Sequence, residues 1–177
     1  MDESDSANQF LNAPLTLEEV TEAIAKLKNG KAAGVEGINN EIIKCPKLLP
    51  VMFSLLKVCF QKGLIPSPWY KSIIKPIPKS SKNDPRVPLN YRGIRLLSPV
   101  YKLYSSILNK RLSLYLEASN QLADEQNSFR RNRACIDHIY TVTSVVRARL
   151  KEGKSTFACY IDFHKAFDWV YRDLLFF

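Results

Sequence analysis

Apolar residues recur at helical spacing in four stretches of the chain and at strand spacing in three. Leu17, Val20, Ile24 and Leu27 lie on one helical face. Thr16-Leu17-Glu18-Glu19 ahead of them matches a capping box, in which hydroxyl and carboxylate each satisfy the other residue's backbone amide. Asn29-Gly30 is the expected stop. Lys47 to Gln61 reads as a second helix, apolar almost all round and so expected to be buried. Pro66 and Pro68 break the chain. Ser72 to Lys79 follows as an extended segment that its prolines confine to a sheet edge. After a polar loop, Ser80 to Asn90, Tyr91 to Leu97 is predicted to pair back on it as a hairpin.

Ser98-Pro99 supplies the N-cap and first position of a long helix. Its stripe is Val100, Leu103, Tyr104, Ile107, Leu108, Leu112, Tyr115 and Leu116. Asn120 to Asn127 is a loop, and Ile136 to Leu150 is helical despite its β-branched residues. Thr156 to Phe163 alternates as a strand, and a last helix should begin near Phe167 or Asp168. The pattern predicts an α+β fold, largely helical with a few short strands, behind a loose acidic lead-in at 1–14.

Composition adds a partner class. Hydrophobic residues at 46% and charged residues at 24% argue against wholesale disorder. Residues 1–22 hold six acids (Asp2, Glu3, Asp5, Glu18, Glu19, Glu22) and no Lys or Arg. All 26 basic and 11 of the 17 acidic residues therefore fall in the remainder, a balance of +15. So basic a body points to a polyanion, nucleic acid first and an anionic membrane surface second. The longest apolar run, Leu48 to Phe60, is too short and too interrupted to span a bilayer, and the acidic N-terminus does not read as a secretory signal. Cys45, Cys59, Cys135 and Cys159 form no C-x-x-C pair. They fit buried thiols in a reducing intracellular compartment, nucleus or cytoplasm, better than disulfides or zinc.

The segment with most chemical content is Phe157-Ala158-Cys159-Tyr160-Ile161-Asp162-Phe163. Strand periodicity puts Phe157, Cys159, Ile161 and Phe163 on one face and Asp162 on the other. A carboxylate at the end of a strand, before a turn, can hold a divalent cation, or equally can cap the turn.

Tyr160 to Val170, with Asp162 followed by Lys165-Ala166-Phe167-Asp168, resembles the first palm motif of non-LTR (LINE-like) retrotransposon reverse transcriptases. Three further stretches resemble the same family in the same order. Leu27 to Ile38 is similar to its Lys-x-Gly-Lys-Ala-x-Gly-x-Asp-Gly-Ile stretch, with Glu36 where Asp is usual. Asn90 to Ser98 is similar to its Tyr-Arg-Pro/Gly-Ile-x-Leu fingers motif, with Arg95 where a small residue is usual. Glu125 to Arg130 is similar to its Gln-x-Gly-Phe-Arg motif, with Ser128 in place of Gly.

The resemblance implies a right-hand polymerase, with fingers over about 15–153 and the start of the palm over about 154–177. It implies RNA-directed DNA polymerase chemistry, phosphoryl transfer from dNTP to a primer 3′-hydroxyl with Mg²⁺, or Mn²⁺, as cofactor. The implied partners are an RNA template, a DNA primer, dNTP and the downstream palm and thumb, with no membrane. Asp162 is then a catalytic, metal-binding aspartate. Phe163, Phe167 and Arg92 become nucleotide-binding residues. Phe167 would close the space a ribose 2′-hydroxyl needs, and Arg92 would clamp the triphosphate through its permanently charged fork. Asp168 is expected to cap a helix. Gln126, Arg130 and Lys79 become contacts to template or triphosphate. Trp69, Tyr70, Tyr91 and Phe129, interleaved with Lys71, Lys75, Lys82, Arg86, Arg131 and Arg133, suit a template channel.

The family carries its remaining metal-binding acids on a paired Asp-Asp, and no Asp-Asp occurs here. The chain by itself is therefore expected not to polymerise. Two alternatives stand beside the polymerase reading: a catalytically dead, nucleic-acid-binding remnant, and an intron maturase-like reverse transcriptase.

Overall fold

The capping box forms as expected. Thr16 Oγ1 accepts the Glu19 amide at 3.2 Å, and the Thr16 amide donates to Glu19 Oε2 at 3.0 Å. It opens helix α1, Leu17–Ala25. This helix stops short of Asn29-Gly30 because the next stretch has other partners. The short helix α2, Asn40–Ile43, takes the Lys28 carbonyl through Asn40 Nδ2 at 2.7 Å and the Gly30 amide through Glu41 Oε1 at 2.6 Å. The computed structural model describes residues 9–81, 84–164 and 166–175. Asp2, Glu3, Asp5, Lys82 and Lys165 lie outside the described residues. The chain divides into two compact units, Met1–Ala123 and Asp124–Phe177.

In the first unit, helix α3, Leu49–Lys62, ends on Gly63 in the left-handed region. The expectation that it is buried all round is corrected. It buries Leu56 and Cys59, while Val51 and Val58 remain exposed, because only one of its faces meets the core. Strands β1, Ile73–Pro78, and β2, Tyr91–Leu96, pair antiparallel from Ile73 opposite Leu96 to Pro78 opposite Tyr91. Among the described residues each strand has one neighbour, so the prolines of β1 sit where a missing N–H is tolerated.

Helix α4, Pro99–Ala118, begins with Ser98 Oγ accepting the Tyr101 amide and Pro99 at its first position. Its Val100, Leu103, Tyr104 and Ile107 meet Val20, Ile24, Ile43, Leu56 and Trp69 in one core. The Trp69 ring lies 5.9 Å from Tyr101 and 5.6 Å from Tyr104, which corrects its expected place in a template channel. The predicted stripe fades after Ile107, and Leu112 is exposed.

Position 111 instead buries a charge. Arg111 donates to both Glu19 carboxylate oxygens at 2.7 Å and to the carbonyls of Leu11, Ala13 and Pro14, with Phe60 5.1 Å beneath it. Beside it, Lys110 meets Glu22 at 2.7 Å. Glu19 and Glu22 of α1 are thus paired with the basic turn of α4.

The second unit is built around helix α5, Cys135–Lys151, opened by the Ala134 amide donating to Asp137 Oδ2 at 2.6 Å. The helix is as predicted, but it has no buried residue. The strand expected at Thr156–Phe163 does not form. Those residues carry no regular structure and every one is exposed. A strand's amides and carbonyls need a neighbouring strand, and the only ladder among the described residues joins β1 to β2. A 3-10 turn, Ala166–Asp168, and helix α6, Arg172–Leu175, follow. Asp168 lies inside the turn and does not cap α6, which corrects its expected role. All four cysteines are free, but only Cys59 is buried, so the buried-thiol expectation fails for Cys45, Cys135 and Cys159. Among the described residues no helix is long and apolar enough to cross a membrane.

Candidate functional site

The candidate residues fall into two groups, one in each unit. In the first, the β1–β2 ladder determines which side chains share a face, because residues directly opposite project the same way. Arg92 lies opposite Ile77 and Lys75 opposite Ile94, so Arg92 and Lys75 share a face. Arg95, opposite Ile74, belongs to the other face. Lys79 continues from β1, its amide donating to the Asn90 carbonyl at 2.8 Å. Arg92, Lys75, Lys79 and Arg95 are all exposed. Beyond the strands, Arg86 pairs with Asp84 at 3.2 Å, and the Arg86 guanidinium and amide hold the Asp84 carboxyl below its ordinary range. Tyr91 spends its hydroxyl on the Pro85 carbonyl at 3.0 Å. Tyr70 is left exposed.

The turn at residues 28–37 is tied to α2 by the two bonds already described and by Lys44 Nζ to Asn29 Oδ1 at 2.7 Å. The Gly30 amide, as the leading cause, holds the Glu41 carboxyl below its usual range. Gly37 takes a left-handed φ of 70°, which suits the glycine at that place in the motif. Glu36, standing where Asp is usual, keeps its Oε2 buried without a hydrogen-bond partner.

In the second unit, Gln126 Nε2 reaches the Ser128 carbonyl at 3.5 Å, and Arg130 Nη1 donates to the Gln126 carbonyl at 3.4 Å. Asn127 bridges to His138 Nδ1 at 3.2 Å, tying this loop to α5. Replacing the family's Gly by Ser128 carries no conformational cost here, because the left-handed residue is the next one, Phe129, at φ 64°. Phe129 is 89% exposed. Asp162 is exposed on an irregular segment, Phe163 precedes the 3-10 turn, and Phe167 lies within it. Both rings are largely exposed. Among the described residues, no three His, Cys, Asp or Glu side chains converge where a metal ion could be held. The donor set in hand therefore does not fit a two-metal centre.

Sequence reasoning missed Arg111. A lone arginine within an apolar helical stripe, with acids at positions 19 and 22 of a facing helix, was the available signal.

Comparison with known families matches residues 77–177 to the reverse transcriptase (RNA-dependent DNA polymerase) family. The chain is 27% identical over 162 residues to a probable RNA-directed DNA polymerase from transposon BS of Drosophila melanogaster, covering 90% of the chain and 18% of that protein. It is 26% identical over 168 residues to the RNA-directed DNA polymerase from mobile element jockey of Drosophila funebris, covering 90% and 18%. Similarity extends to a putative 115 kDa protein in the type-1 retrotransposable element R1DM of Drosophila melanogaster, 30% identical over 156 residues, covering 87% and 15%. The chain thus spans less than a fifth of the length of these relatives. With more than half of its residues matched, the chain belongs to the reverse transcriptase (RNA-dependent DNA polymerase) family.

Proposed function

We propose that this chain supplies the fingers and the first palm motif of a right-hand RNA-directed DNA polymerase that copies an RNA template from a DNA primer. The carrying observation is the exposed face of the hairpin on which Arg92, within the motif that the resemblance assigns to the triphosphate, stands beside Lys75 of the paired strand. Lys79, at the end of the same strand, and Gln126 and Arg130, in the loop held against α5, contact template or triphosphate. Phe167 excludes a ribose 2′-hydroxyl by occupying its space, and Phe163 borders the same nucleotide. The free thiols suit a reducing intracellular compartment.

Reverse transcriptases generally use a divalent metal, Mg²⁺ in this reading with Mn²⁺ as its substitute. Asp162 contributes one carboxylate toward it. Two-metal phosphoryl transfer needs acids on both ions, and the described residues do not assemble them. The chemistry assigned to this chain is accordingly binding and orientation: arginine and lysine for phosphates, aromatic bulk for the sugar.

The test uses the purified 177-residue chain with an RNA template annealed to a DNA primer. Binding that weakens steeply with salt and on Arg92→Ala, but is unaffected by Asp162→Ala, is the expected result. Template-directed dNTP incorporation by the chain alone would overturn the division of labour. Loss of binding on Asp162→Ala, with Arg92→Ala silent, would overturn the role of the hairpin.

A further inference from the structure

Gly34 is buried and its φ is not in the left-handed region, so backbone freedom does not explain the glycine. Space does. A Cβ at this position would lie 2.7 Å from the Ser98 amide nitrogen and 2.8 Å from the Leu97 carbonyl carbon and oxygen. All three atoms are backbone and cannot swing aside. Leu97–Ser98 is the two-residue joint between β2 and α4. Ser98 is 2% exposed and caps α4, so the α4 side of the joint is immobile. The β1–β2 hairpin beyond it is exposed over most of its length and bonds chiefly to itself. It is a lever with its root at the joint. The turn bearing Gly34 is anchored at its other end on α2 through Lys28, Asn29 and Gly30.

We propose that Gly34 is a positioning residue. Its missing side chain lets the 28–37 turn seat flat on the Leu97–Ser98 peptide and so sets the angle at which the hairpin carrying Arg92 leaves the helical body. The consequence for nucleotide binding rests on the reading of Arg92 given above, whereas the brace itself rests on the backbone contact alone.

Spin labels at Leu89→Cys in the hairpin loop and Leu114→Cys on α4, with Cys45, Cys135 and Cys159 changed to Ser, report the lever's angle as a distance distribution. Gly34→Ala, still helical by circular dichroism, is expected to shift or broaden that distribution and to weaken binding of inorganic tripolyphosphate several-fold. Arg92→Ala is expected to weaken the same binding without moving the distance. The double variant should bind no worse than Arg92→Ala alone, since position 34 acts through the hairpin. An unchanged distance distribution in folded Gly34→Ala overturns the brace. A moved distribution with tripolyphosphate binding intact in both single variants upholds the brace and overturns the assignment of Arg92. Should Gly34→Ala fail to fold, Glu41→Ala loosens the same turn from its exposed end by removing the Gly30 bond. There a broadened distribution supports the brace, and an unchanged one overturns it.

Discussion

Arg111 carries more of the first unit's integrity than any other charged side chain among the described residues, because it is 6% exposed and its guanidinium spends its donors on Glu19 and three carbonyls. Removing one partner of such a pair strands the other. Arg111→Met should cost about 3 kcal/mol in urea unfolding, although the substitution is close in volume. The same pair makes stability depend on pH. The Arg111 hydrogen bond is the largest cause holding the Glu19 carboxyl below its ordinary value of 4.5, ahead of the opposing effect of burial. A depressed folded value means that the stabilisation is complete above 4.5 and is lost as pH falls through the folded value. The melting temperature should therefore decline below about pH 4.5, and Glu19→Gln should flatten that decline while lowering the plateau. At Asp162 the expectation is opposite. An exposed side chain on an irregular segment has nothing to lose, so Asp162→Ala should leave unfolding stability within about 0.5 kcal/mol of wild type.

Among the elements, α1 is short, and its hold depends on its first turn. Thr16→Ala removes the hydroxyl that accepts the Glu19 amide and should cost about 1 kcal/mol, measurable by denaturant titration. The change also removes the hydrogen bond that the Thr16 hydroxyl donates to Glu19 Oε2 at 3.3 Å, so its effect should couple with that of Arg111→Met, and the two should not add. Helix α5 has good local signals, an acidic residue in its first turn and Arg149 and Lys151 in its last, yet no buried side chain. Local propensity draws it and tertiary packing does not hold it. The 156–163 segment fails for the complementary reason. Its alternation is correct, but a strand is a property of two chains side by side.

For the whole molecule, the two units differ in what opposes unfolding. Every member of the hydrophobic core lies in Met1–Ala123, while the only buried described side chain of Asp124–Phe177 is Asn127. Amide exchange should accordingly be slowest in α1, α3 and α4 and fast in α5 and 154–163 of the isolated chain. Slow exchange throughout α5 would show that its exposed apolar positions are covered in solution. Charge is partitioned as well. Glu19 and Glu22 are taken up by Arg111 and Lys110, while Lys75, Lys79, Arg92 and Arg95 of the hairpin stay exposed. Nucleic-acid affinity should fall linearly on a log–log plot against salt, and Arg92→Ala should reduce that slope by about one.

Local rules sufficed wherever the cause of an element was local. The capping box at Thr16, the Ser98-Pro99 start of α4 and the proline-marked hairpin were legible because each is written in a few adjacent residues. The family was legible for a similar reason, since motif order survives without knowledge of contacts. Tertiary structure decided what adjacency cannot encode: that Arg111 and not Leu112 turns inward, that Trp69 is core, that α3 is covered on one face only, and that Gly34 is small because another peptide passes against it. It also decided against the strand around Asp162, because the hydrogen bonds that make a strand come from a neighbour, and no residue's own sequence can supply one.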